Sequence, residues 1–263
     1  MPSVSFLNAA AKALTKRLGF VVTVRRVGRG RIATDPYEAQ RRLIARLGIA
    51  RPLIFDVGAH YGETIKRYKR ALPDCRMVSF EPTPESFERL TRDWGADSDV
   101  TLVNKAVTAT DGLVEFHVNA FDATNSTLPR PSRGRRYYPK FAGMETKITV
   151  QGTTLDSYLG AGECPDILKM DIQGGELAAL KGADRLLKLP ALKLIYTEAL
   201  FIPHYENQPL FHDISAYLAQ RGYSLYNIYN PQVATNGQLR YGDALFVSAD
   251  VRQRCLDALP EEP

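Results

Sequence analysis

Cysteine is scarce in this chain. Cys75, Cys164 and Cys255 are an odd number and lack metal-ligand spacing, which argues against a disulfide scaffold or a thiolate metal site. They read as free thiols of a reducing compartment. Long apolar runs are missing too. Nothing approaches about eighteen consecutive apolar residues, so no spanning helix is expected. The first residues show no apolar h-region and no small-residue cleavage site, and a cytoplasmic protein is the expectation. No internal repeat is visible. What remains is ordinary globular material: 263 residues with 44% hydrophobic content can bury one sizeable core.

Charge is mild but unevenly placed. The net value is +5, yet residues 1–50 hold ten Lys or Arg against Asp35 and Glu38, leaving the remainder slightly acidic. Such a preface is most simply a solvated basic face. An anionic partner, whether membrane surface, nucleic acid or phosphorylated substrate, is the alternative. Residues 3–18 set Phe6, Leu7, Ala10, Leu14 and Leu18 near helical spacing, a helix that could pack on its own domain or lie peripherally on anionic lipid. Gly28 to Gly30 mark a break. Asp35-Pro36 then reads as N-cap and first turn of a helix to about Leu47, with Leu43, Ile44 and Leu47 inward and Gly48 closing it. Residues 1–50 are thus expected to be a basic helical extension, 51–250 the main domain and 251–263 a tail.

From Leu53 strands alternate with helices, which argues for a mostly parallel sheet covered on both faces. The stretch Leu53–Glu63 opens the pattern and the strand Arg76–Phe80 follows, ending in Glu81-Pro82. Pro84 to Trp94 is a helix. Val100–Val107 and Leu113–Val118 are expected as strands joined in a hairpin across Asp111-Gly112. Residues 119–146 form a long polar loop, and Lys147–Gln151 resumes strand. Asp166–Ile172 is a buried strand followed by a helix from Glu176 to Leu187, then the strand Leu192–Thr197 and a helix from Gln208 to Arg221. Tyr223–Tyr229 and Ala244–Ser248 close the chain as an antiparallel pair, with turns at Asn230-Pro231 and Asn236-Gly237.

One stretch organises the rest: Phe55-Asp56-Val57-Gly58-Ala59-His60-Tyr61-Gly62-Glu63, a strand, a glycine turn and a helix start. Glycine lets backbone approach a ligand, and the N–H groups opening the helix point into the same space. The dinucleotide fingerprint G-x-G-x-x-G is not met, because three residues separate Gly58 from Gly62 and His60 stands between them. That disfavours a nicotinamide oxidoreductase. An acid at the strand end, Asp56, suits a cationic or amino-bearing ligand such as S-adenosylmethionine.

Further acids fall at other strand ends: Glu81, Asp171 and Glu198. Uncompensated carboxylates repel one another and are costly to desolvate, so a site is the better reading than a stability device. Glu81 can accept two hydrogen bonds from ribose hydroxyls, and Asn104 offers an amide to an adenine edge. Lys169 shares a face with Asp171 by strand alternation and reads as the partner neutralising Asp171 or Glu198.

The strings Phe55–Gly62, Phe80-Glu81-Pro82-Thr83-Pro84, Leu168-Lys169-Met170-Asp171-Ile172-Gln173-Gly174-Gly175-Glu176 and Leu180-Lys181-Gly182-Ala183 together resemble the FkbM family of S-adenosylmethionine-dependent methyltransferases. The likeness runs from about Leu53 to Ser248, where Gly242–Val247 is a family-like ending. His60 departs from it, standing where the family usually has Asn. The resemblance implies a Rossmann-like class I methyltransferase fold, with a seven-stranded, mostly parallel sheet and an antiparallel terminal strand. It implies S-adenosylmethionine held by Asp56, Gly58, His60, Gly62, Glu81, Pro82, Asn104 and Asp171. The reaction it implies is O-methylation of a sugar, glycan or other natural-product hydroxyl.

Removing the hydroxyl proton calls for a base. Asp171, Glu198, His204 and His212 are the candidates, with Asp171 favoured by its place beside the cofactor strand and His204 one short loop beyond Glu198. His117 lies in an outlying strand and is assigned no role. A divalent metal on Asp171, Glu198 or Asp213 is a less favoured route, since no ligand-spaced cluster demands it. The loop 119–146 carries Asn125-Ser126-Thr127 and then Arg130, Arg133, Arg135, Arg136, Tyr137, Tyr138, Lys140 and Phe141, a composition suited to gripping an anionic acceptor. Two rivals remain. A nucleic-acid methyltransferase is disfavoured because Asp171-Ile172-Gln173-Gly174 stands where amino-methylating enzymes carry Asp/Asn-Pro-Pro-Tyr. A non-catalytic, membrane-associated cofactor binder predicts binding without turnover.

Overall fold

A computed structural model describes residues 34–119, 124–129, 145–159 and 163–259, all within one compact unit, Thr34–Pro260. The expected helix over residues 3–18 and the Arg- and Tyr-bearing part of the loop at 130–144 lie outside the described residues.

Helix α1 spans Pro36–Arg46, and its N-cap is Asp35, whose carboxylate accepts from the Tyr37 and Glu38 N–H groups. Cap and proline agree with the sequence because both act locally. Its inner face buries Tyr37, Leu43 and Ile44, and Gln40 accepts a 2.7 Å bond from the buried Tyr68 hydroxyl. The helix therefore packs directly on the main unit.

The sheet comprises β1 (Leu53–Val57), β2 (Arg76–Phe80), β3 (Val100–Val103), β7 (Ile167–Met170), β8 (Leu194–Leu200), β9 (Tyr223–Val233) and β10 (Leu239–Ser248), in the order β3-β2-β1-β7-β8-β10-β9. Neighbours from β3 to β8 run parallel, and β10 is antiparallel to both β8 and β9. Every residue of β1 and β7 is buried, as expected of central strands covered on both faces. The covering helices include α2 (Glu63–Ala71), α3 (Pro84–Trp94), α5 (Glu176–Lys181) and α6 (Phe211–Ala219). Helix α4 (Leu155–Leu159) is short. No helix among the described residues is long and apolar enough to cross a membrane.

Four expectations need correction. The strand expected over Val100–Val107 breaks at Asn104, leaving β4 as Ala106–Val107. The hairpin across Asp111-Gly112 does not form. Instead β6 (Glu145–Thr153) lies between β4 and β5 (Gly112–Asn119), making a three-stranded sheet of order β4-β6-β5. Asp111 is occupied otherwise, accepting from Thr153 Oγ1, the Thr154 N–H and Ser157 Oγ. The helix from Glu176 stops at Lys181, and its C-cap is Gly182, where a Cβ would come within 2.2 Å of the Thr108 carbonyl oxygen. Finally, Asn230-Pro231 lies inside β9, an edge strand that tolerates proline, and the turn falls at Asn236-Gly237. The C-terminal segment is also anchored: Val251 and Cys255 are buried, and Arg46 donates to the Cys255 carbonyl at 3.0 Å.

Candidate active site

The strand order reverses direction at β1, which lies between β2 and β7, so ligands are expected outside the carboxyl ends of these strands. A cleft of about 200 Å³ opens there. Its floor is the turn after β1. The Gly58 and Ala59 N–H groups both donate to the Phe80 carbonyl, at 3.0 and 2.9 Å, stitching β1 to β2. Gly58 has φ +83°, and a Cβ there would lie 2.0 Å from the Asp171 carbonyl oxygen. Only glycine meets both conditions, so the turn and the end of β7 can touch. Gly62, with φ +89°, is the N-cap of α2, packs against Trp94 and does not line the cleft.

Glu81 is nearly buried. One carboxylate oxygen accepts from the His60 N–H at 2.9 Å, and the other accepts from the Thr83 N–H at 2.9 Å and from the Thr83 hydroxyl. An ionised carboxylate has about four acceptor sites, so the oxygen facing His60 keeps capacity for a ligand hydroxyl. Asn104 does not line the cleft. Its amide donates to the Glu81 and Pro82 carbonyls, at 2.8 and 3.2 Å, and so fixes the turn that carries Glu81. His60 adopts φ +49°, lies against Tyr61 in a tilted ring contact with centroids 3.7 Å apart, and lines the cleft with Pro82 and Asp171.

Asp56 does not face the cleft. It is fully buried and pairs with Lys169, its neighbour across the β1–β7 register, at 3.0 Å. The partner expected for Lys169 was Asp171 or Glu198; strand register gives it to Asp56 instead. Burial works against the Lys169 ammonium, but the carboxylates of Asp56 and Asp171 overcome it and raise its pKa. Lys169 also donates to the Gly58 carbonyl at 3.2 Å, which ties this ion pair to the floor of the cleft.

Asp171, at the end of β7, is exposed. It stands in the wall between the cleft and a second cavity of about 200 Å³, which Tyr37, Tyr196, Glu198 and Asp243 also line. Gln173 bridges the acids. Its amide nitrogen donates to Asp171 Oδ1 and to Glu198 Oε2, each at 3.0 Å. Desolvation, then the charges of Asp171, Glu176 and Asp243, push the Glu198 carboxyl well above the usual range. Glu176, buried and accepting from the Ile172 N–H, is raised to about 7, chiefly by desolvation. His204 lies elsewhere, with its ring near Arg240 and Tyr241, and lines neither cavity. His212 is exposed on α6, and Asp213 caps that helix by accepting from the Leu210 N–H. The His117 side chain is buried in β5, and its backbone pairs with Ser126.

Sequence reasoning did not assign several wall residues to the donor cleft. Phe80, Val107, Phe116 and Ile172 give the cleft an apolar side, while Lys105, Asn125 and Thr127 add polar groups. An apolar slot ending in a carboxylate and a glycine turn fits a nucleoside joined to an amino-acid end, the chemistry of S-adenosylmethionine. Among the described residues, no group of three or more His, Cys, Asp or Glu side chains is placed to hold a metal ion.

The methyltransferase FkbM domain matches residues 56–225, well over half of the chain. The chain belongs to the FkbM methyltransferase family. It is a methyltransferase, and its methyl donor is S-adenosylmethionine. Among curated relatives, the 2-O-methyltransferase NoeI of Sinorhizobium fredii is 25% identical over 183 residues, 66% of this chain and 74% of that protein. The methyltransferase sdnD of Sordaria araneosa is 27% identical over 157 residues, 51% of this chain and 61% of that protein. The crystal structure of an FkbM methyltransferase from Methylobacillus flagellatus KT superposes with a TM-score of 0.50 at 19% identity. It covers 81% of this chain, which spans 48% of that longer one, and the likeness is one of fold.

Proposed function

We propose that this methyltransferase transfers its methyl group to a hydroxyl of a sugar, glycan or other natural product, with Asp171 as the base. The observation that carries the reading is the place of Asp171. It is exposed in the wall common to the donor cleft and the second cavity, so a hydroxyl entering from that cavity would meet a carboxylate on its way to the donor. The 2-O-methyltransferase named among the relatives supports oxygen as the acceptor atom.

When bound, S-adenosylmethionine supplies an electrophilic methyl carbon on a sulfonium. The chain's own residues do the rest. Glu81 would hold the ribose hydroxyls with its free acceptor capacity, and the glycine turn at Gly58 would admit the amino-acid end. Asn104 would act behind the cleft by fixing the Glu81 turn, and Lys169, which lines the cleft, by supporting its floor. Asp171 would take the acceptor proton, a contribution of about 10²–10⁴-fold for a positioned base. Alignment of the two reactants would supply a further ~7–11 kcal/mol of the barrier. Glu198 would accompany the base rather than replace it, since it lines the second cavity but not the donor cleft. His204, outside both cavities, is the weaker candidate.

The test offers labelled S-adenosylmethionine to an extract of glycans, lipids and small molecules, with the labelled product identified by mass spectrometry. An O-methylated product is expected. Asp171→Asn should then lower turnover by at least about 10²-fold while donor affinity stays within a few-fold. Label on nitrogen, or on nucleic acid in a salt-dependent manner, would overturn the acceptor assignment; surviving turnover in Asp171→Asn would move the base elsewhere.

A further inference from the structure

We propose that Gln173 is the positioning residue of this site: it holds the Asp171 and Glu198 carboxylates together at the cleft and ties them to the segment 124–129. The proposal rests on the reading of Asp171 as the base and names what holds it there.

Gln173 is an unusual choice on backbone grounds. Its φ is +55°, a region uncommon for residues other than glycine, and it is followed by Gly174 at φ +99°. Glycine would meet no strain at position 173 either, so the side chain needs a reason to be there. Its contacts supply one. On one side the amide nitrogen spans Asp171 Oδ1 and Glu198 Oε2, at 3.0 Å each. On the other, Oε1 accepts from the buried Tyr205 hydroxyl at 2.9 Å, and that hydroxyl also lies 3.0 Å from the Thr124 carbonyl. A flipped amide would set its oxygen against two carboxylates, so the neighbours fix its orientation. The Gln173 backbone carbonyl accepts from Ser126 Oγ at 2.8 Å. Both ends of the residue therefore reach the segment that contributes Asn125 and Thr127 to the cleft wall.

The acids need such a holder. Asp171 and Glu198 are surrounded by further carboxylates, Glu176 from α5 and Asp243 from β10, and Glu63 of α2 lines the second cavity with them. The opposing cations are Lys169, already paired with Asp56, and Arg67 of α2, which lines the same cavity. Without a donor between them, like charges would drive the two side chains apart. With it, one oxygen of Asp171 is tethered and the other is left for the acceptor.

The deciding measurement needs no acceptor. The side-chain carboxyl carbon of Glu198 is titrated by NMR in the full chain, wild type against Gln173→Ala and Gln173→Glu. Gln173 holds the Glu198 carboxyl down against burial and its acidic neighbours, so loss of the donor should raise the Glu198 midpoint, and the added carboxylate should raise it further. A purely structural residue would lower thermal stability and leave that midpoint where it was. If Gln173→Ala does not fold, Gln173→Gly, suited to the positive φ, should show the same rise. Midpoints that stay within roughly 0.3 pH units of wild type overturn the proposal. Once a methylated product is in hand, Gln173→Ala should lower kcat by about 10²-fold with the donor KM unchanged. Wild-type protein that methylates no hydroxyl would sink the O-methylation reading while the titration still decides the role of Gln173.

Discussion

Asp56→Ala should damage stability before it damages donor binding. The carboxylate is fully buried and the Lys169 side chain nearly so, with Nζ 3.0 Å from Oδ1. At that separation the gross attraction is about 5–6 kcal/mol for an effective dielectric constant near 20. Desolvation of both ions offsets much of it, so the pair as a whole adds little net stability. Removing one partner is different, because it strands the other. Lys169 would keep its 3.2 Å bond to the Gly58 carbonyl and the more distant attraction of Asp171, but no paired carboxylate. A cost of about 3–5 kcal/mol is expected for Asp56→Ala, and a similar cost for Lys169→Met. For a domain of this size that corresponds to a fall in Tm of roughly 6–20 °C. The double variant Asp56→Ala/Lys169→Met leaves no stranded charge and should cost clearly less than the two singles together. Urea denaturation of the four proteins closes the cycle. Additive losses would show that the two groups do not act as a pair and that Lys169 does not depend on Asp56.

Three other outcomes follow from the same geometry. Glu176 has a folded pKa of about 7 against an ordinary 4.5, so the folded state binds more protons between those values and stability should fall as pH rises from about 4.5 to 7. Denaturation midpoints should be higher at pH 5.5 than at pH 8, and Glu176→Gln, which keeps an acceptor for the Ile172 N–H, should flatten the trend; an unchanged slope refutes it. Glu81→Gln puts an amide among N–H donors and should weaken donor binding at least ~10-fold by calorimetry, about 1.4 kcal/mol or more. Deleting residues 1–50 removes α1 and with it buried Tyr37, Leu43, Ile44 and the Gln40 bond to Tyr68. Folded protein should be lost, and recovery of a stable, donor-binding fragment would contradict the packing described.

Much of the fold was legible because its signals are local. The Asp35-Pro36 cap, the strand Arg76–Phe80 and the helix Pro84–Trp94 fall where composition and turn chemistry place them. The misplaced hairpin shows the opposite case. Asp111-Gly112 is a good turn signal, yet β6, more than thirty residues further on, fills the space between β4 and β5. Nothing within a short window encodes such a partner. Gly182 is similar: a glycine in a helical pattern gave no notice that Thr108 lies against it. For the site, the motif residues Gly58, His60, Glu81, Pro82 and Asp171 all reach the cleft, whereas Phe116, Asn125 and Thr127 arrive from the second sheet and its loop. Their loop and strand were marked in the sequence, but nothing within a short window sets them against the donor cleft.

The four acids at strand ends make the point most sharply. On sequence alone they look like one uncompensated cluster, and repulsion argues that such a cluster must be a site. Each in fact has its own compensation. Asp56 has an ammonium across the register, Glu81 has the N–H groups of His60 and Thr83, and Asp171 and Glu198 share the amide of Gln173. What distinguishes them is exposure. Asp56 is sealed, Glu81 is nearly so, and Asp171 is open to both cavities. A carboxylate that keeps an oxygen toward solvent beside the donor cleft can exchange a proton with a bound hydroxyl, while a sealed one can only shape the floor. The surroundings of these like groups are thus set by which neighbour each strand brings to them, and Gln173, placed between the Asp171 and Glu198 carboxylates, is where that difference can be tested.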